Sequence, residues 1–401
     1  MKFVLIRSAL VVLLLAISTS LYASLPAKGK TALPSLERGF YLHDPQKNIS
    51  KGHHLNATHI IPELQKSMET FMRTRGNPVS AVILVDILTG NILTLAQGKN
   101  PAKWGANVHT AIHNKFPAAS LFKTVVASAA IEIAGVDIKA KSSLVGGCSK
   151  VRASGRWMQT KIRGKQYQID LKGAYGKSCN GYFAKLALNE TGMGPIIDYA
   201  NRFRWGKPIL ADFKTLKSPI DIPTPETSSV HTVGRFAAGF GNVRSSLVHS
   251  AWRTLVIGAN GQSRPLKLFK KTISSTSPHQ VITPETADAI KKIMKATIRG
   301  GTASSAFSRG KYRILRNRMG GKTGTLTGKN PSGVTTWFAG LYPIDAPQVA
   351  VVALTVINDL WIFKAPNLAA EATYQWTRYQ KKQLRSAKLK ENQTLKGSNP
   401  L

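Results

Sequence analysis

The chain has 401 residues, 43% hydrophobic and 19% charged, the composition of a globular protein with one large domain or two moderate ones. Lys and Arg number 56 against 19 Asp and Glu, a formal net charge of +37 that attracts polyanions. The N-terminus turns that inference away from nucleic acid: Lys2 and Arg7 precede a short apolar run, Ala9 to Ile17, followed by the small-residue stretch STSLYAS. This is the pattern of a secretory signal, cleaved near Ala23 or kept as an anchor, although the run is short for a spanning helix of about 20 residues. The bulk of the chain is expected to be exported, to a periplasm or the outer face of a cytoplasmic membrane. The polyanions it meets there are envelope polymers and acidic lipids.

Residues 24–77 read as an N-terminal extension, polar and irregular except for IPELQKSMETFMRTR, which places Leu64, Met68 and Phe71/Met72 on one helical face. A hairpin follows, with strands over 80–87 and 92–98 around the turn LTGN. Residues 120–134 predict a helix stopped by Gly135, and residues of about 170–300 alternate helical patterns with Gly/Pro breaks. Strand signals return at 317–325, 334–343 and 349–357, and a last helix is expected over 367–380, then a frayed basic tail with seven Lys/Arg and one Glu. Strands at both ends and helices between them predict an α+β fold: an antiparallel sheet flanked by helices, with a helical lobe. No internal repeat is present. Cys148 and Cys179 are either a disulfide, which an exported protein can form, or two buried thiols.

Three short stretches carry chemistry. Ser120 and Lys123 sit one turn apart at the expected start of a helix, where free amides and the helix dipole favour an anionic adduct and a neutral Lys can take the Ser proton. Ser178-Cys179-Asn180 again precedes an apolar helix, and Lys322-Thr323-Gly324-Thr325 lies on an expected strand. Singly, each has an ordinary explanation: Ser120 and Ser178 as N-caps, Asn180 as a turn residue, Lys322 as an edge-strand solubiliser. Together, Ser-x-x-Lys, Ser-x-Asn and Lys-Thr-Gly in this order form the signature of penicillin-binding proteins and serine β-lactamases.

The resemblance extends to the surrounding sequence. AVILVDILTGNILTLAQG resembles the opening hairpin of penicillin-binding-protein transpeptidase domains, and RFRWGKP with DIPTPE resembles the loop after the second motif. GRFAAGFGNVRSSLVHSAWRTLVIGANGQ and TTWFAGLYPIDAPQVAVVALTVIND are similar to the family's helical stretch and closing strand pair, so the likeness covers residues 78–378 and leaves 379–401 as a basic tail. One departure is Pro117-Ala118-Ala119 before Ser120, where these proteins often have Pro-Gly.

The resemblance implies a β-lactamase/transpeptidase-like fold and a D,D-transpeptidase or D,D-carboxypeptidase acting on the D-Ala-D-Ala stem peptides of peptidoglycan. It implies β-lactams as inhibitors and no cofactor or metal. Ser120 would be the nucleophile, Lys123 its base, Ser178 a proton relay and Asn180 a holder of Lys123 and the substrate amide. Lys322, Thr323 and Thr325 would bind the terminal carboxylate, Gly324 would allow close approach, and the amides of Ser120 and Thr325 would hold the oxyanion. No room for a glycan-polymerising module precedes residue 78, so a stand-alone acyl transferase is expected.

Two alternatives share the motifs. A serine β-lactamase needs a base for deacylation; no Glu-x-x-Leu-Asn loop follows Asn180, Glu190 and Glu226 have other surroundings, and Asn180 replaces the Val of a Ser-x-Val motif. A β-lactam sensor or scaffold needs a firm anchor, for which residues 1–17 are a poor candidate. Other features are set aside. GGKTGT is not a phosphate-binding loop, because Arg316 stands where its first Gly belongs. His109 and His113 share a helical spacing without a third ligand, His53-His54 reads as loop, and the sequons at Asn48, Asn56, Asn189 and Asn392 matter only in a eukaryotic secretory pathway.

Overall fold

The computed structural model describes residues 58–75, 79–98, 115–145, 147–148, 151, 167–224, 227–270, 277–329, 332–357 and 363–397. The expected signal or anchor at 1–23, His53, His54, His109, His113 and the sequons at Asn48 and Asn56 lie outside the described residues. Among the described residues no helix is long and apolar enough to cross a membrane.

Helix α1 (Pro62–Arg73) starts with Pro at its first position, which needs no N–H there. It buries Leu64, Met68 and Met72, the face its spacing predicts. Buried Gln65 bonds both ways to the Leu95 backbone, its Nε2 donating to the carbonyl at 3.1 Å and its Oε1 accepting from the amide at 3.0 Å. Leu95 lies on β2 (Ile92–Gln97), which pairs antiparallel with β1 (Val79–Asp86) and forms one edge of the main sheet, so α1 covers that edge.

A short strand β3 (Phe116–Pro117) leads through a 3₁₀ turn (Ala119–Leu121) into α2 (Lys123–Glu132). The hairpin strands β4 (Lys141–Leu144) and β5 (Tyr167–Asp170) then precede α3 (Leu171–Gly176) and α4 (Asn180–Lys185), which runs into a π-helical turn (Leu186–Thr191). Next come α5 (Met193–Arg202), α6 (Val230–Ala237), the short strand β6 (Arg244–Ser245) paired with β3, α7 (Leu247–Gly258), α8 (Pro284–Arg299) and α9 (Ser304–Phe307). The chain closes with β7 (Gly320–Lys329), β8 (Ser332–Tyr342), β9 (Val349–Ile357) and α10 (Ala365–Gly397).

The expectation that the terminal strands share one sheet holds: the order is β2-β1-β9-β8-β7, all neighbours antiparallel. Strand β9 lies between β1 and β8, with Ile83 opposite Val352 and Phe338 opposite Ala353. Both faces of the sheet are covered. Ile83, Val85, Val352 and Trp337 pack with α2, α7 and α8 on one side; Val82, Leu84, Val351 and Phe338 pack with α1 and α10 on the other. Double coverage accounts for the nearly continuous apolar runs of β1 and β9, where a half-exposed strand would alternate.

The last helix departs from expectation. It starts near the predicted point but runs on to Gly397, through the segment expected to fray. Residues 381–396 hold no Pro or Gly and are rich in Lys, Gln, Leu, Arg and Ala, all good helix formers, so nothing local stops it. Its buried first part is tied down by Glu371, which accepts from the Tyr312 hydroxyl at 2.5 Å and Gln375 Nε2 at 2.7 Å and pairs with Lys311 at 2.7 Å. Glu371→Ala leaves Tyr312 and Gln375 without that acceptor; chemical denaturation should show a loss of about 2 kcal/mol with an unchanged m-value.

Candidate functional site

Ser120 does not begin a helix. It lies in the 3₁₀ turn, Lys123 is the first residue of α2, and the N-cap position between them is Phe122, with no side-chain cap. The N-cap explanation for Ser120 therefore fails. The turn is held rigidly. Pro117 O accepts from the Trp337 indole of β8 at 2.8 Å, and the Ala118 amide donates to Val243 O at 2.8 Å. Ala119 is left-handed (φ 48°), an uncommon state for a residue with a Cβ and one that costs about 1–3 kcal/mol. Gly239 makes the turn possible: at φ 89° a Cβ there would meet Ala119 O at 2.0 Å.

Ser178 is not an N-cap either. The N-cap of α4 is Cys179, and Ser178 ends the preceding helix. Its amide donates to Tyr175 O at 3.1 Å, the Cys179 amide donates to Ala174 O at 2.8 Å, and Ser178 itself is left-handed (φ 57°). This is a Schellman cap with Ser where Gly is usual. Cys179 is bonded to Cys148, and the Gly181 amide donates to Cys148 O at 3.3 Å, so the loop at Cys148 is pinned to the start of α4. Of the two readings of the cysteines, the structure has the disulfide.

These constraints bring the three motifs together. Lys123 Nζ lies 3.0 Å from Ser120 Oγ, 2.9 Å from Ser178 O, 3.3 Å from Ser178 Oγ and 2.5 Å from Asn180 Oδ1. Lys322 Nζ, from β7, donates to Ser178 Oγ at 2.9 Å and to Thr323 O at 2.9 Å. Both lysines are almost wholly buried, at 0% and 1% exposure. Their amines lie over aromatic rings: Lys123 Nζ is 5.5 Å from the Phe183 centroid and Lys322 Nζ 5.4 Å from that of Tyr175.

Burial disfavours the charged form of both amines. Desolvation, and then the neighbouring Lys322, hold the Lys123 pKa well below the usual lysine range. Desolvation lowers Lys322 to about 7. A neutral Lys123 has two N–H bonds and one lone pair. Ser178 O and Asn180 Oδ1 are acceptors only and take the two N–H bonds. The lone pair is left for the Ser120 hydroxyl, the arrangement a general base requires.

Strand β7 is the sheet's other edge, and the Ser120 turn packs against it: a Cβ on Gly324 would stand 3.0 Å from Ala118 O. Lys322 points inward to Ser178 and supplies charge from beneath this edge, whereas Thr325 is exposed. Thr323 Oγ1 is hydrogen-bonded to Thr302 Oγ1, whose residue also bonds Gly176 O through its amide at 3.0 Å. Thr302 lies outside every stretch singled out in the sequence, and Gly239 lies in one without a role; both enter because the fold sets them against Thr323 and Ala119. No Asp or Glu among the described residues contacts Ser120, Lys123 or Ser178, and no group of three His, Cys, Asp or Glu among them is placed to hold a metal.

The fold and site define a class: an α+β domain in which a serine, two desolvated lysines and a second serine meet under the edge of an antiparallel sheet. The family model for the penicillin binding protein transpeptidase domain matches residues 80–372, and the chain belongs to that family. Solved structures share the fold. The D,D-transpeptidase domain of a peptidoglycan glycosyltransferase from Eggerthella lenta is 20% identical over 80% of this chain and 82% of its own, with a TM-score of 0.64. The transpeptidase domain of Burkholderia pseudomallei penicillin-binding protein 3 is 17% identical over 81% and 96%, at 0.65. Penicillin-binding protein 3 of Mycobacterium tuberculosis, solved with aztreonam, is 18% identical over 81% and 79%, at 0.64. No curated protein sequence matches the chain.

Gly239→Ala tests how the Ser120 turn is supported. The new Cβ meets a backbone oxygen in a left-handed conformation, so stability should fall by about 2 kcal/mol or more, and labelling of Ser120 by a fluorescent penicillin should slow more than that of a surface variant of equal stability.

Proposed function

We propose that the protein is a serine D,D-acyl transferase of cell-wall stem peptides, working as a transpeptidase or carboxypeptidase in the bacterial envelope. The observation that carries this reading is the run of contacts Ser120 Oγ, Lys123 Nζ, Ser178 Oγ, Lys322 Nζ, at 3.0, 3.3 and 2.9 Å. Ser120 Oγ attacks the carbonyl carbon of the penultimate D-Ala while its proton passes to Lys123 Nζ. The carbonyl oxygen becomes an oxyanion, stabilised by the amides of Ser120 and Thr325. The C–N bond then breaks, the departing D-Ala amine takes a proton through Ser178 Oγ from the lysines, and an ester remains on Ser120. An acceptor amine or water attacks that ester, Lys123 takes its proton, and the proton returns to Ser120 Oγ as the ester C–O bond breaks.

The substrate's terminal carboxylate binds at Thr323 and Thr325, with Lys322 beneath supplying positive charge, and the Asn180 amide meets the substrate backbone. A β-lactam enters the same way, but its opened ring stays attached and no leaving group vacates the site. The lack of a carboxylate contact to Ser120 or Lys123 among the described residues favours a slow ester over rapid hydrolysis. The basic start and apolar run of residues 1–17 support export, and the Cys148–Cys179 disulfide suits an oxidising compartment.

Purified protein mixed with fluorescent penicillin should give a stable label on Ser120 with little antibiotic loss. Ser120→Ala should give none, and Lys123→Met should label about 100- to 10,000-fold more slowly, the range of a general base. Rapid multiple turnover of the antibiotic sinks this reading in favour of a β-lactamase. The pH profile follows from Lys322. Its charge is present below about 7 and lost above it, so acylation by a carboxylate-bearing β-lactam should fall above pH 7, towards roughly tenfold per unit. Lys322→Arg, charged throughout, should react more slowly but lose the alkaline fall, as stopped-flow labelling across pH 6–9.5 would show.

A further inference from the structure

Helix α10 carries seven Lys or Arg between Arg378 and Gly397 against a single Glu. They are not spread evenly around it. Arg378, Lys381, Lys382 and Arg385 follow at three- and four-residue steps and so share one side, and Lys388 continues the row. That side faces α1 across a groove of about 440 Å³, whose other wall includes Glu63 and Ser67. Of the four groove cations, among the described residues, only Lys382 is paired, with Glu63 at 3.0 Å. Like charges one turn apart destabilise a helix. The arrangement is therefore unfavourable on its own and is relieved by an anion lying along the groove.

We propose that the α1–α10 groove binds a linear polyanion with repeated phosphodiester charges and no bases. The row supplies a cation at every turn, about 5.4 Å apart, which matches a chain of regularly spaced charges better than a single phosphate. An anionic bilayer fits less well: the exposed Leu384 (62%) and Leu389 (63%) are five residues apart and fall on different faces, so among the described side chains no apolar stripe is available to enter lipid. Single-stranded nucleic acid also fits less well, because among the described residues no aromatic side chain lines the groove for bases to stack on. The groove is assembled from α1 and α10 and shares no residue with the Ser120 site. Its link to the proposed function is the envelope setting, where it would hold the enzyme on an anionic wall polymer.

The test uses the full chain and poly(glycerol phosphate), with binding followed at rising salt. A groove variant, R378Q/K381Q/R385Q, is compared with K139Q/K207Q/K217Q, which removes equal charge from exposed positions elsewhere. The groove variant should bind about tenfold or more weakly near physiological salt and lose about 2–3 from the slope of log K against log salt; the second variant should change the slope by less than about 1. Glu63→Gln removes the groove's acid and should tighten binding, an effect of opposite sign that misfolding does not mimic. Equal losses in the two triple variants overturn the proposal, as does tighter binding to phosphatidylglycerol vesicles or to a single-stranded oligonucleotide than to the polymer. Penicillin labelling of Ser120, unchanged in all three, separates failure here from failure of the acyl-transfer reading.

Discussion

Lys123 is the buried charge problem around which the domain is arranged. Its amine sits in the core with no carboxylate beside it among the described residues and a second lysine sharing Ser178 Oγ. A buried cation without a counter-ion is unstable as a cation, and it resolves the conflict by giving up its proton. Burial thereby yields a neutral amine without extreme pH. The surrounding contacts then decide what the base can do. Two obligatory acceptors, Ser178 O and Asn180 Oδ1, occupy its N–H bonds and leave its lone pair for Ser120. Lys322, lowered by desolvation to about 7, still carries part of its charge near neutral pH.

That arrangement carries a conformational cost, and the fold meets it at several points. Ala119, next to Ser120, and Ser178 both adopt left-handed backbone states that favour glycine. Each is held from outside. Gly239 makes room for the Ala119 carbonyl, and Trp337 from the central sheet grips Pro117. The disulfide and the Gly181–Cys148 hydrogen bond pin the segment after Ser178. Strain of this kind persists where the surroundings over-determine it, and here the surroundings are a five-stranded sheet with a packed core on each face.

Much of the architecture was legible in the residues. The strands at 79–86, 92–97 and 349–357 lie where apolar runs broken by turn residues placed them, and α1 buries the stripe read from its spacing. Local geometry was read less well where it is unusual. Ser120 and Ser178 look like helix starts because an apolar run follows each, yet one sits in a 3₁₀ turn and the other caps the helix before it. Periodicity reports which face is buried; it does not report the sign of a single φ. The C-terminal helix was read too short for the opposite reason, since charge was taken as a sign of fraying where helix propensity continued unbroken.

The residue types and their order determined by themselves that a serine, two lysines and an asparagine of this family's pattern were present. They determined as well that the two ends of the chain supply one sheet. Only the tertiary structure decided that residues 55 to 144 positions apart share hydrogen bonds, that both amines lose water, and that Thr302 and Gly239 join the site. The physical reason is that protonation and strain depend on what surrounds a group in space. Phe183 and the packed helices desolvate Lys123 and the Lys322 charge disfavours its protonation further; none of these is its neighbour in the chain, and no local pattern encodes their approach.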